Sequence, residues 1–196
     1  LKRKKLLNMG RPPVYDRSAL GLTNEKKIML RKGNNPHWRF LLNNNRVNWE
    51  DTILGPISID CASVSDPVLI RADGQFLYTL ASVVDDVDMG ITDVVRGSDH
   101  VTNTATQIQI TEALSKSTPC YSHHSLLTGP SGENLSKRLG VMSLRDLRSA
   151  GIEPMAILSH LARLGSSQPG ELFNSINDIE SVFDITTFGA APTKFE

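Results

Sequence analysis

The chain has 196 residues, is 39% hydrophobic, and balances 21 basic side chains against 21 acidic ones. No apolar run nears the roughly 20 residues that cross a bilayer, and Leu1-Lys2-Arg3-Lys4-Lys5 is not followed by the apolar core of a secretory signal. Cys61 and Cys120 are far apart and lack CxxC partners, which argues against a disulfide framework or a zinc site and fits a reducing, cytoplasmic setting.

From the beginning, Leu1 to Met9 reads as the tail of a helix stopped by Gly10, with Arg11-Pro12-Pro13 forbidding its continuation. Thr23 to Lys32 reads as a second helix, N-capped by Thr23 and followed by Gly33. Short strand patterns follow at His37 to Leu42, Val47 to Asp51 and Ile57 to Cys61. Asn43-Asn44-Asn45 is expected to join the first two as a hairpin turn. Charge is uneven over this stretch. Up to Val47 the cations are Lys2, Arg3, Lys4, Lys5, Arg11, Arg17, Lys26, Lys27, Arg31, Lys32, Arg39 and Arg46, opposed only by Asp16 and Glu25. A basic lobe on a neutral chain suits a polyanionic partner, and equally a solvated helix face.

From Pro67 the pattern changes. Val68 to Arg71 is an apolar strand, Asp73-Gly74 a turn, and Phe76 to Val87 is apolar at helical spacing. Ile91 to Val95 is another strand. Val101 to Leu114 is another helix, with Val101, Ala105 and Ile108 on one face, and Tyr121 to Leu127 is a third strand. Alternating strands and helices with short links predict an α/β fold of parallel strands, with ligands at the strands' carboxyl ends. Those ends carry Arg71, Arg96 and the loop after Leu127. Beyond Gly140 the chain reads as helical: a capping box at Ser143 and Asp146, then a helix opened by Pro154 and stopped by Gly165. Its stripe is Ile157, Leu158, Leu161 and Leu164, and a last helix spans Ile176 to Phe183.

Three features could carry chemistry. Thr128 to Arg138 is rich in Gly, Ser and Pro and delivers Lys137 and Arg138 to a strand end, which suits a triphosphate, although by itself such a segment is more often a surface loop with solvated charges. Arg96 ends a strand and can grip a carboxylate bidentately, or pair with one of the nearby aspartates. Tyr78 can offer its hydroxyl to a ligand or belong to the core. Consecutive His123 and His124 face opposite ways in a strand, which disfavours a shared metal, and both read as structural.

The combined strings narrow this. Asp73-Gly74-Gln75-Phe76-Leu77-Tyr78-Thr79-Leu80-Ala81-Ser82-Val83-Val84-Asp85-Asp86 resembles a segment of the bacterial-type glutamyl-tRNA synthetases, which are class I aminoacyl-tRNA synthetases. Met89-Gly90-Ile91-Thr92-Asp93-Val94-Val95-Arg96-Gly97-Ser98-Asp99-His100, followed by Thr102-Asn103-Thr104, is similar to a second. Leu135-Ser136-Lys137-Arg138 resembles the family's KMSKS-type loop, and Arg11 to Asp16 a segment of its acceptor-binding insertion. The order is the family's, and nearly the whole chain is covered. Departures are Asn134 in place of the loop's first lysine, Ser98 in place of an acid, and Phe76-Leu77 before the tyrosine.

The resemblance implies an α/β fold: the C-terminal half of a class I synthetase Rossmann-type parallel sheet. Residues 1–66 would be part of the acceptor-binding insertion, 67–140 the sheet with its SKR loop, and 141–196 a helical stem-contact region. It implies ATP-dependent activation of L-glutamate and transfer to tRNA(Glu), with ATP arriving as its Mg2+ complex and no zinc. Tyr78, Ser82 and Arg96 would hold glutamate. Asp99, His100 and the backbone around Leu127 would meet ATP, and Ser136, Lys137 and Arg138 would act on the triphosphate as pyrophosphate leaves. The expected enzyme is cytoplasmic and monomeric, without a membrane segment. Neither the family's HIGH motif nor its anticodon-binding helices are in the sequence, so we expect an internal piece of a longer enzyme, inactive alone. A non-catalytic acceptor-stem binding module and a glutamyl-queuosine tRNA(Asp) synthetase relative are the alternatives.

Overall fold

The computed structural model describes residues 7–10, 13–33, 35–129, 132 and 143–194. Helix α1 is Asn24–Gly33, and Lys26 N–H donates to Thr23 Oγ1 at 3.4 Å, so Thr23 caps it as expected. Strands β1 (Trp38–Arg39), β2 (Arg46–Asp51), β3 (Gly55–Asp60) and β4 (Val68–Ile70) follow. Then come α2 (Tyr78–Asp88), β5 (Asp93–Gly97), α3 (Val101–Ala113), β6 (Cys120–His124) and β7 (Leu127–Thr128). Helices α4 (Leu144–Ser149), α5 (Pro154–Arg163) and α6 (Ile176–Val182) lead to β8 (Thr193–Lys194). Strands β3, β2, β6 and β5 form a four-stranded sheet in that order, with β2 and β6 parallel where Asp51 faces Tyr121. The α/β class holds.

Two expectations about pairing are corrected. The Asn43–Asn45 segment is not a hairpin between β1 and β2, because β1 pairs antiparallel with β4, Trp38 opposite Ile70. Asn43 instead spends its backbone on a side chain: its N–H donates to Gln109 Oε1 at 2.8 Å, and its carbonyl accepts from Gln109 Nε2 at 3.1 Å. The tight connection is the one between β2 and β3, whose three linking residues permit only antiparallel neighbours. Strand β4 does not join the larger sheet because both its edges are taken. Beyond β1, Leu77 N–H donates to Leu69 O at 2.8 Å and Phe76 bridges Ile70 on the returning chain.

The chain divides into two compact units. The first comprises residues 1–49, 56–94 and 100–120. Its core is Leu42, Cys61, Val83, Ala105, Ile108 and Ile110, with α2 packed on α3. Helix α3 is buried continuously from Thr104 to Thr111, polar residues included, rather than on the single face that Val101, Ala105 and Ile108 define. Asp66 pins the early segment. Its carboxylate accepts from Arg17 Nε and Nη2, both at 2.8 Å, and from Leu42 N–H at 3.0 Å. The pair raises the Arg17 pKa through that hydrogen bond.

The second unit comprises residues 50–55, 95–99 and 121–196. Strands β7 and β8 pair in parallel, Leu127 opposite Thr193. The capping box opens α4 as expected: Asp146 N–H donates to Ser143 Oγ at 3.2 Å and Ser143 N–H to Asp146 Oδ2 at 2.7 Å. Helix α5 buries Ser159, whose hydroxyl donates to Met155 O at 2.6 Å and accepts from Phe173 N–H at 2.9 Å. Its expected stripe is only half covered, Leu158 and Leu161 remaining 40% and 45% exposed. Gly165 (φ +87°) then turns the chain, and a Cβ there would meet Thr193 Oγ1 at 2.9 Å.

Candidate functional site

The first unit brings Tyr78 against His100, ring centroids 5.8 Å apart and edge-on. Tyr78 opens α2, and the residue is 52% exposed. Ser82 lies one turn on along the same face. Its Oγ accepts from Gln107 Nε2 at 2.7 Å, a buried amide that α3 supplies. His100 precedes α3; its ring Nδ1 lies 3.3 Å from Asn103 Nδ2, and its carbonyl accepts from Thr104 Oγ1 at 3.3 Å. Tyr78, Ser82 and His100 are therefore linked through α2 and α3, the two helices whose packing dominates the unit.

The second unit holds Arg96, Asp99 and Leu127. Arg96, half-buried in β5, donates through Nε to His123 Nε2 at 3.2 Å, and its guanidinium carbon lies 5.4 Å from the Tyr121 ring centre. Arginine can only donate, so Nε2 must accept and the His123 proton sits on Nδ1. That nitrogen lies 2.5 Å from Asp51 Oδ2, with both side chains fully buried. Asp51 Oδ1 accepts the backbone N–H groups of His123, Ile53 and Leu54 at 3.1, 3.1 and 3.0 Å. Burial pushes the Asp51 carboxyl up, but these hydrogen bonds, led by His123, outweigh it and hold it below the usual carboxylate value.

Asp99 sits in a single helical turn after β5 and folds back over Gly97, where an added Cβ would lie 2.6 Å from Asp99 Oδ1. Leu127 lines an apolar cavity of about 270 Å3 with Ile53, Val95, Leu161, Leu164, Phe183 and Phe188, among others. Ser136, Lys137 and Arg138 lie outside the described residues.

A larger cavity, about 630 Å3, lies in the first unit among Tyr15, Leu20, Leu30, Arg31, Trp38 and Arg39, apart from the expected site residues. Here Arg31 lies over the Trp38 ring at 5.4 Å and Arg39 over Tyr15 at 4.5 Å. Asp51, Tyr121 and His123 were missed by sequence reasoning as companions of Arg96. The usable signal was strand alternation: one of His123 and His124 had to face inward, and a buried imidazole needs partners. No helix among the described residues is long and apolar enough to cross a membrane.

Residues 1–195 match the family described as tRNA synthetases class I (E and Q), catalytic domain. Among curated proteins, glutamate–tRNA ligase 2 of Cereibacter sphaeroides is 67% identical over 196 residues, covering 100% of this chain and 44% of the relative. Glutamate–tRNA ligase 2 of Jannaschia sp. is 68% identical over 197 residues, again covering 100% of this chain and 44% of the relative. The chain thus spans less than half the length of the curated relatives it matches. Among solved structures, a glutamate tRNA ligase from Elizabethkingia meningosepticum in complex with its amino acid superposes with a TM-score of 0.84 at 25% identity, over 99% of this chain and 44% of that one.

Proposed function

Since the chain belongs to the class I tRNA synthetases of the glutamate and glutamine (E and Q) branch, we propose that it carries the amino-acid-recognising part of a cytoplasmic glutamate–tRNA ligase. In the reaction, a glutamate carboxylate oxygen attacks the α-phosphorus of Mg2+-bound ATP and pyrophosphate leaves. A terminal ribose hydroxyl of tRNA(Glu) then takes the glutamyl group and releases AMP. The observation that carries the reading is identity of 67% across the whole chain to a relative named for glutamate.

The roles follow the chemistry of each group. Arg96 pairs with the side-chain carboxylate of glutamate, and Tyr78, about half exposed, and Ser82 are assigned to the same substrate. Asp99, His100 and the backbone around Leu127 receive ATP. Ser136, Lys137 and Arg138 offset the charge that grows on the triphosphate as pyrophosphate departs, a stabilisation that rises in the transition state. The exposed cations of α1, Lys26, Arg31 and Lys32, are assigned to the acceptor stem as part of residues 1–66, and residues 141–196 to the helical stem-contact region.

The test is glutamate-dependent exchange of label between pyrophosphate and ATP, with and without tRNA(Glu), on this chain and on a chimera in which it replaces the matching segment of the C. sphaeroides ligase. Exchange by the chimera and none by the chain alone is the expected result. A chimera that binds tRNA but exchanges nothing would turn the reading into a stem-binding module. One that exchanges with glutamine instead would move it to the sister specificity.

A further inference from the structure

We infer that Asp51 and His123 are positioning residues that aim Arg96 at the substrate carboxylate, an inference that rests on the role proposed for Arg96. Three observations converge. The proton order is fixed in one direction: Arg96 Nε–H donates to His123 Nε2, and His123 Nδ1–H donates to Asp51 Oδ2. The chain ends on a carboxylate whose other oxygen already takes three backbone N–H groups, so Asp51 cannot turn without abandoning them. The anchor is dry, with Asp51 1% and His123 0% exposed.

The consequence lies in Arg96. A guanidinium held at Nε and flanked by the Tyr121 ring is fixed in both rotation and plane. Bidentate recognition of a carboxylate depends on that plane, and an arginine free to sweep would first have to give up the freedom. Stability alone does not call for the device. A buried polar pair is often no more stabilising than apolar side chains of the same volume, and β2 and β6 could host them. Asp51 and His123 therefore act through Arg96 and touch no reacting atom.

The experiment compares His123→Gln with His123→Asn in the chimeric ligase. The Gln amide reaches the place of Nε2 and keeps an acceptor for Arg96; the Asn amide reaches only the place of Nδ1 and keeps Asp51 satisfied. We expect His123→Asn to raise the glutamate KM in pyrophosphate exchange about tenfold, with the ATP KM within about twofold and His123→Gln within about threefold of the parent. Equal effects of the two variants, or a glutamate KM and ATP KM that move together, would overturn the inference. Absence of exchange in the parent chimera would sink the proposed function instead. The relay is then read on this chain by NMR: the Arg96 Nε–H resonance should shift and exchange faster in His123→Asn and persist in His123→Gln. An Arg96 signal indifferent to both variants would also overturn it.

Discussion

Arg17 adopts a left-handed backbone (φ 53°), which costs a side-chain-bearing residue energy, and its guanidinium is committed to Asp66 and the Leu42 carbonyl. In the sequence it was one more cation of a basic lobe; in the fold it is a buried carboxylate's partner. Arg46 is similarly engaged, donating to Ser58 Oγ at 2.9 Å and Ser58 O at 3.1 Å. Charge was legible from the sequence, but not which charges remain outward, because the partners lie 49 and 12 positions away. Asp51 makes the same point about the site. Its native carboxyl is held below the ordinary value of 3.8, so its contribution to stability is complete above that value and is lost as pH falls through the lower native one. The stability gap between the parent and Asp51→Asn, from urea titrations across pH, should be flat above about pH 5 and narrow below about pH 4. A gap unchanged to pH 2 would mean that Asp51 is not ionised in the folded chain.

At the scale of elements, the helices were legible and their surroundings were not. The capping box of α4, Thr23 before α1 and the proline of α5 are local signals, and each stands where the sequence placed it. Helix α3 was legible as a helix, yet its buried glutamines were not, since Gln107 and Gln109 answer to Ser82 and Asn43 far along the chain. Helix α1 has no buried residue, and Lys26 and Lys32 on it are exposed. Replacing both with glutamine should therefore reduce the slope of log affinity for tRNA against log salt by about 0.7–0.9 per lysine. Arg46→Gln, which removes an internally bonded cation, should change it less. Filter binding between about 50 and 200 mM salt measures both, and equal slopes in all three proteins would remove α1 from the contact.

For the whole molecule, the α/β class and element order could be read in advance, but the partition of strands could not. Strand β4 looked like a member of the main sheet because its apolar run is short and featureless, and only the partners on its two edges settle its place. The two cysteines give a measure of global opening. Cys61 is 1% exposed and burial pushes its thiol pKa up, whereas Cys120 is exposed. A thiol reagent at neutral pH should label Cys120 at once and Cys61 only as fast as the chain opens, with both labelled promptly in denaturant. Immediate reaction of both thiols in the native protein would contradict the packing around Cys61.

The Trp38 ring beneath Arg31 has a consequence for spectroscopy. The chain has two tryptophans, Trp38 about half exposed beside the cationic helix and Trp49 partly covered in β2. Positive potential around Trp38 concentrates anions and repels cations. Iodide and caesium therefore quench the same indole unequally, and the ratio of the two Stern–Volmer constants is an optical gauge of the local field. A bound polyanion would neutralise that field, so the iodide-to-caesium ratio would fall toward that of a free, uncharged indole as the surface fills, without any label on the protein.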